Sequence, residues 1–191
     1  MNLASIMMLA GLVLLEPGVS AAGAAYEAAP YKAVRTAGDF ELRDYPARTV
    51  VETTPGTNDN GGFMRLFHFI RGRNATGRKI AMTTPVLIAG VETNRTMAFL
   101  MPAGLKADAV PQPADGTLRV REWPAGRWAV LRYRGGRNAQ REAEALRQLQ
   151  TWVAAQKLPV LSDPVFGYFN PPWTPPFWRH NEVMLRTGPT P

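Results

Sequence analysis

Residues 60–85 read NGGFMRLFHFIRGRNATGRKIAMTTP, and the spacing of their apolar side chains decides how the chain must fold. Phe63, Leu66, Phe67 and Ile70 recur at i, i+3, i+4 and i+7, which puts them on one face of a helix that needs an apolar partner. Asp59 or Asn60 can cap its start and Gly72 can end it, giving a helix of about two to three turns. The opposite flank carries Met64 and His68, four residues apart and stacked along the axis, with Arg65 alongside and Arg71 and Arg73 just past the end. A thioether and an imidazole thus stand among arginines on the side turned away from the core.

Working outward, the segments on either side of this helix have the two-residue period of strands. Tyr31 to Val34 leads to a turn at Gly38-Asp39, Phe40 to Tyr45 alternates strictly, and Arg48 to Thr53 resumes β character after Pro46-Ala47. Beyond the helix, Lys79 to Met82 and Pro85 to Ile88 give a strand broken at Thr83-Thr84, and Thr96 to Met101 gives another. The pattern then restarts: Arg43-Asp44-Tyr45-Pro46-Ala47 is echoed by Arg121-Glu122-Trp123-Pro124-Ala125, and a β-rich run follows each. A second helix is predicted over Asn138 to Lys157, with Leu146, Leu149 and Val153 on one face and Pro159 as its stop. Val165 to Phe169, a Pro-rich turn from Asn170 to Pro176, and a closing strand Glu182 to Leu185 complete the chain.

Each half therefore reads as strand, helix, strand, strand, with pseudo-repeats at about 31–102 and 117–187. Hairpin-length returns favour antiparallel pairing. The expected fold is α+β: two such units sharing one antiparallel sheet, curled into a barrel with both helices packed outside. Trp173 and Trp178, set among prolines, are expected to form a rigid cover over the barrel end.

Composition narrows the function. At 191 residues, with 46% hydrophobic and 19% charged, the chain suits one well-buried domain, here residues 25–191. Residues 1–24 contain the apolar run Leu3 to Leu15 followed by small residues, the look of a cleaved signal peptide, so a periplasmic or secreted location is expected. There is no cysteine, and His68 and His180 are the only histidines, which excludes disulfides, thiolate zinc and His-rich metal centres. The formal net charge is +7, and 18 of the 22 basic residues are arginine, which suits planar anions such as carboxylates and phosphates. No helix carries a one-sided Lys/Arg stripe, so no nucleic-acid partner is expected. Ser162 has no His or acid at triad spacing, and a catalytic carboxylate would have to be buried, with Glu52, Glu92 and Glu182 to choose from; Glu182 reads best as the structural partner of an Arg.

Several of these segments together resemble the SOUL family of haem-binding proteins. They are Tyr31 with the FELRDYPARTVVET run, Ile70-Arg71-Gly72-Arg73-Asn74, the run Lys79 to Val86, and the closing Tyr168-Phe169-Asn170-Pro171-Pro172 to Arg179-His180-Asn181-Glu182-Val183. The resemblance spans about Tyr31 to Arg186 and implies a distorted antiparallel β-barrel flanked by two helices, built from a duplicated unit. It further implies a protein that binds haem or another porphyrin in a shallow site without an enzymatic role. A monomer without stable membrane insertion of the mature chain is expected. Carried onto this chain, that site takes Met64, His68 and Arg71 from the helix and Thr174, Arg179 and His180 from the closing segment. The family shares no axial ligand, so the expectation that His68 or His180 binds the iron rests on imidazole chemistry and not on the resemblance. The chain departs from the family at His180, where a second Arg is usual. A flat apolar ring with two propionates calls for Met, aromatic and Arg contacts, and iron accepts imidazole. Against this stand a second reading, a hydrolase or ligand sensor using the barrel cleft, and a third, a protein-interaction module.

Overall fold

A computed structural model of the chain describes residues 26–54, 59–90 and 95–188. The leader at residues 1–24 and Glu92 lie outside these. Alternating sequences pair into strands: β1 (Glu27–Ala28), β2 (Lys32–Ala37), β3 (Phe40–Tyr45), β4 (Arg48–Thr53), β5 (Thr83–Thr84), β6 (Val86–Ala89), β7 (Thr96–Leu100), β8 (Arg119–Trp123), β9 (Gly126–Arg134), β10 (Val165–Tyr168) and β11 (His180–Thr187). The helices are α1 (Asp59–Ile70) and α2 (Ala139–Ala155). Nine strands form one sheet in the order β2-β3-β9-β11-β10-β6-β7-β4-β8, antiparallel throughout, while β1 and β5 make a small parallel pair of their own.

Both helices lie on one face of the sheet, because each must bury an apolar stripe. Leu66, Phe69 and Ile70 of α1 pack on Val51, Ile88, Met97 and Phe99 from β4, β6 and β7. Ala145, Leu149 and Val153 of α2 pack on Ala129, Leu131, Val183 and Leu185 from β9 and β11. Alternate residues of the same strands, among them Val50, Leu87, Leu100, Val130 and Met184, fill a third cluster on the opposite, inner face. The Asn138 side chain accepts from the Arg141 amide and caps α2, as its place before the apolar stripe suggests.

The sheet curls strongly but does not close. Trp123 of the edge strand β8 stacks on Trp128 of β9 at 5.4 Å, so the edge folds back over the inner face. The sheet stays open because its two edge strands, β2 and β8, do not pair with each other. The expected barrel is therefore an open, curled sheet with β2 and β8 at its two edges.

α1 is helical from Asp59 onward, and the residues before it are outside the described chain. One local expectation also changes. Lys79 to Met82 is a loop and not a strand, and the turn ahead of it is fixed by Asn74, whose buried side chain donates to the carbonyls of Phe69 (3.1 Å) and Arg78 (2.7 Å) and accepts from the Arg78 amide (3.1 Å). The Ile80 amide reaches back to the Ile70 carbonyl at 2.8 Å, which pins the loop to the end of the helix. Gly72, at φ +110°, makes the turn, and a Cβ there would stand 3.0 Å from the Gly77 carbonyl oxygen. Asn74→Ala leaves several of these backbone groups without partners and is expected to lower stability by about 1–3 kcal/mol. Urea unfolding of the two proteins at equal slope checks it; an unchanged midpoint would show that solvent replaces the side chain without cost.

Candidate functional site

The geometry of α1 sorts its residues into three directions. Leu66, Phe69 and Ile70 are fully buried, so at 100° per residue Met64, His68 and Arg71 point directly away from the sheet. Met64 is 37% exposed, an unusual position for its apolar side chain. Phe63 and Phe67, expected in the core, are only half-buried and lie on the flank between these two directions; Phe69 takes the central core place instead. The two rings stack at 5.9 Å, Phe63 meets Phe99 edge-on at 5.3 Å, and the Arg71 guanidinium lies 5.9 Å from the Phe67 ring.

Tyr168 lies at the seam between the helices. It packs both on the core beneath α1 and on the core beneath α2. Its hydroxyl donates to Glu142 of α2 at 2.7 Å, and the Arg137 guanidinium, itself 3.1 Å from Glu142, lies over the ring at 5.2 Å. Burial, then the neighbouring Tyr133 and Glu142, push the Tyr168 hydroxyl far above its ordinary range, so it stays a neutral donor. Phe63, Phe67, Val86 and Tyr168 all pack on the core under α1, with Arg71 over one of these rings and Arg137 over another. From sequence Phe67 is expected in the core, and neither Tyr168 nor Arg137 is expected among the site residues. The signal for Tyr168 was there, since alternation in Val165-Phe166-Gly167-Tyr168 puts it on the helix-covered face with Phe166.

The closing-segment residues are committed to internal bonds. Arg179 donates through Nε to the Thr174 carbonyl at 2.8 Å and through Nη2 to the Pro172 carbonyl, bracing the Pro-rich turn, while the Thr174 amide bonds the Pro171 carbonyl. His180 stacks parallel on Phe169 at 4.2 Å, with Nε2 2.9 Å from Glu182. Glu182 is buried on the inner face, where Arg43 grips it with two bonds of 2.9 Å. Arg43 also binds Glu41 at 2.7 Å and Tyr45 at 2.9 Å, and lies over the Tyr31 ring; Arg132 completes the group at 3.0 Å from Glu41. Burial alone would raise the Glu182 carboxyl, but His180 and Arg43 outweigh it and hold it below the usual range. This agrees with Glu182 as the partner of an arginine.

The chain leaves β4 at Thr53, runs back along α1, and so finishes the helix at the end of the sheet where β10 gives way to the Pro-rich turn. His68 and Arg71 thus lie at the same end of the molecule as Thr174, Arg179 and His180, with Met64 a turn further back along α1, but not on one face. His68 lies outside the helix layer, whereas His180 alternates with Val183 and Leu185 and points to the inner face with Glu182. The sheet stands between the two imidazoles, so one iron cannot be held by both. Among the described residues no three His, Cys, Asp or Glu side chains converge as a metal site.

Two helices over a curled antiparallel sheet is a fold seen in other solved structures. A chain of the EcmrR–DNA complex matches at TM-score 0.58 with 13% identity, over 78% of this chain and 57% of that one, and a hydrolase from Listeria innocua matches at TM-score 0.57 with 9% identity, over 78% and 92%. The isolated EcmrR C-terminal domain matches at 0.54 with 14% identity, over 78% and 96%. This chain therefore spans little more than half of the full EcmrR chain, and at these identities the likeness is one of fold alone. No curated protein sequence gives a significant match. The family model for SOUL heme-binding proteins matches residues 26–186, and the chain belongs to that family.

Proposed function

We propose that this protein is an exported, non-catalytic binder of haem or a related tetrapyrrole, acting as a monomeric carrier, scavenger or buffer. The observation that carries the reading is that Phe67 and Tyr168 both pack on the core under α1, each with a guanidinium at its ring; we read them as one aromatic shelf offering flat apolar contact, with the guanidiniums suited to the propionates of a macrocycle. Met64, His68 and Arg71 form its outer wall, and Thr174 and Arg179 shape the turn at its end. Of the two histidines, His68 is the better iron ligand, because the Nε2 of His180 is already held by Glu182. The order of two strands, a helix and an antiparallel pair in both halves supports descent from one duplicated unit.

The reading as a hydrolase or sensor needs a free carboxylate in a cleft. Glu182 has aromatic neighbours, but Arg43 occupies both of its oxygens, and Glu52 is 3.1 Å from Arg121. The tetrapyrrole reading is tested by titrating the protein with hemin. Saturation at one equivalent with a shifted Soret band is expected, with His68→Ala moving the band and weakening binding about tenfold, equivalent to about 1.4 kcal/mol. Hemin that behaves with the protein as it does in buffer alone would sink the assignment.

A further inference from the structure

The Pro-rich turn does not cover the barrel end as expected: Trp173 is 79% exposed, Trp178 66% and Phe177 63%. Three large aromatics on one turn, all facing solvent, need an explanation, since single exposed apolar residues are ordinary but a cluster is not. They are not there through looseness. Arg179 ties the turn to its own carbonyls at Pro172 and Thr174, the Thr174 amide closes on Pro171, the Trp178 amide closes on Pro175, and Phe177 and Trp178 meet edge-on at 5.0 Å. Four prolines from Pro171 to Pro176 fix the backbone further. The cost of ordering these side chains has been met in the free protein.

The surroundings are cationic. The turn abuts the β9–α2 connection, where Gly136 lies against Pro176 and Arg179. That connection, residues 132–141, reads RYRGGRNAQR, and its Arg134, Arg137 and Arg141 are exposed. The nearest acid is Glu142, which Arg137 and Arg95 already neutralise.

We propose that this turn is a docking tip for an anionic membrane surface, with Trp173, Phe177 and Trp178 entering the headgroup layer and Arg134, Arg137 and Arg141 contacting lipid phosphates. Indole rings, apolar in body with one polar N–H, favour that layer, and guanidinium binds phosphate bidentately. The contact is peripheral: among the described residues no helix is long and apolar enough to cross a bilayer. Arg137 alone is shared with the shelf, and the variants tested below leave it unchanged, so the outcome for vesicles and the outcome for hemin are distinguishable.

The test uses the full chain with vesicles of phosphatidylcholine alone or mixed with phosphatidylglycerol, scored by co-sedimentation and by tryptophan quenching with brominated lipid. Binding to the mixed vesicles that weakens with salt is expected, with Trp fluorescence quenched. The triple variant Trp173→Ser, Phe177→Ser, Trp178→Ser should bind on the order of tenfold more weakly and lose the quenching, and Arg134→Glu with Arg141→Glu should remove the preference for anionic lipid. Unchanged circular dichroism shows that the variants are folded. If the triple variant binds as tightly as the parent, the apolar N-terminal run is responsible and the proposal fails. It fails equally if the parent ignores vesicles, or binds a DNA duplex more tightly than it binds them.

Discussion

Arg43→Ala should destabilise the protein by about 3–5 kcal/mol, the range found when one partner of a buried ion pair is removed. At this chain length that is a fall in melting temperature on the order of 10 °C. Arg43 and Glu182 are both buried, on adjacent sides of β9: Arg43 comes from β3 and Glu182 from β11. Alanine there would leave Glu182 with only His180, and Glu41 with only Arg132. The double change Arg43→Met with Glu182→Leu removes both charges at similar volume and should restore most of the loss, because the isolated charge and not the missing pair carries the penalty. Calorimetry of the three variants decides it. A single variant as stable as the parent would mean that water reaches Glu182, and the picture of a sealed inner face would be wrong.

The same pair sets an acid limit. The folded Glu182 carboxyl is held below its unfolded value, so its contribution is complete above about pH 4.3 and is lost as pH falls through the depressed folded value. The parent should therefore lose stability on acidification below about pH 4.3, and Arg43→Met with Glu182→Leu should lose less over the same interval. Parallel losses in the two would assign the acid sensitivity to other carboxylates, of which Asp44, bonded bidentately to Arg127, is the first to consider.

What was legible in the sequence was set by period. The strict alternation of Phe40 to Tyr45 and the helical spacing of Leu146, Leu149 and Val153 each report a face, and a face is what burial acts on. Long-range facts left weaker traces. That β2 and β8 would end as the two edges depends on pairing across the whole chain, so an open sheet could not be told from a closed one. Lys79 to Met82 has strand-like composition, but its Ile80 amide is spent on the Ile70 carbonyl at the end of α1. The candidate site was legible on α1, where Met64, His68 and Arg71 share one direction by spacing alone. The rest was hidden because His180 sits two residues from Glu182 on a strand, and period two carries both to the inner face.

Phe69 and Phe67, two residues apart on α1, should separate the support of the shelf from its contact surface. Phe69 is fully buried beneath the helix, so Phe69→Ala opens a cavity and is expected to cost about 3–5 kcal/mol. Against a total stability of about 5–15 kcal/mol, that loss would unfold a measurable fraction of the protein on mild warming. Phe67 is half-buried, so Phe67→Ala gives up less burial, about 1–2 kcal/mol, but removes the ring beneath Arg71. Hemin titration at low temperature, where both variants are folded, should show Phe67→Ala binding about tenfold more weakly and Phe69→Ala near the parent, once its folded fraction is counted. The order in denaturant should be the reverse. If Phe67→Ala binds hemin as the parent does, the macrocycle does not rest on this flank of the helix, and the seam over Tyr168 loses its assigned role.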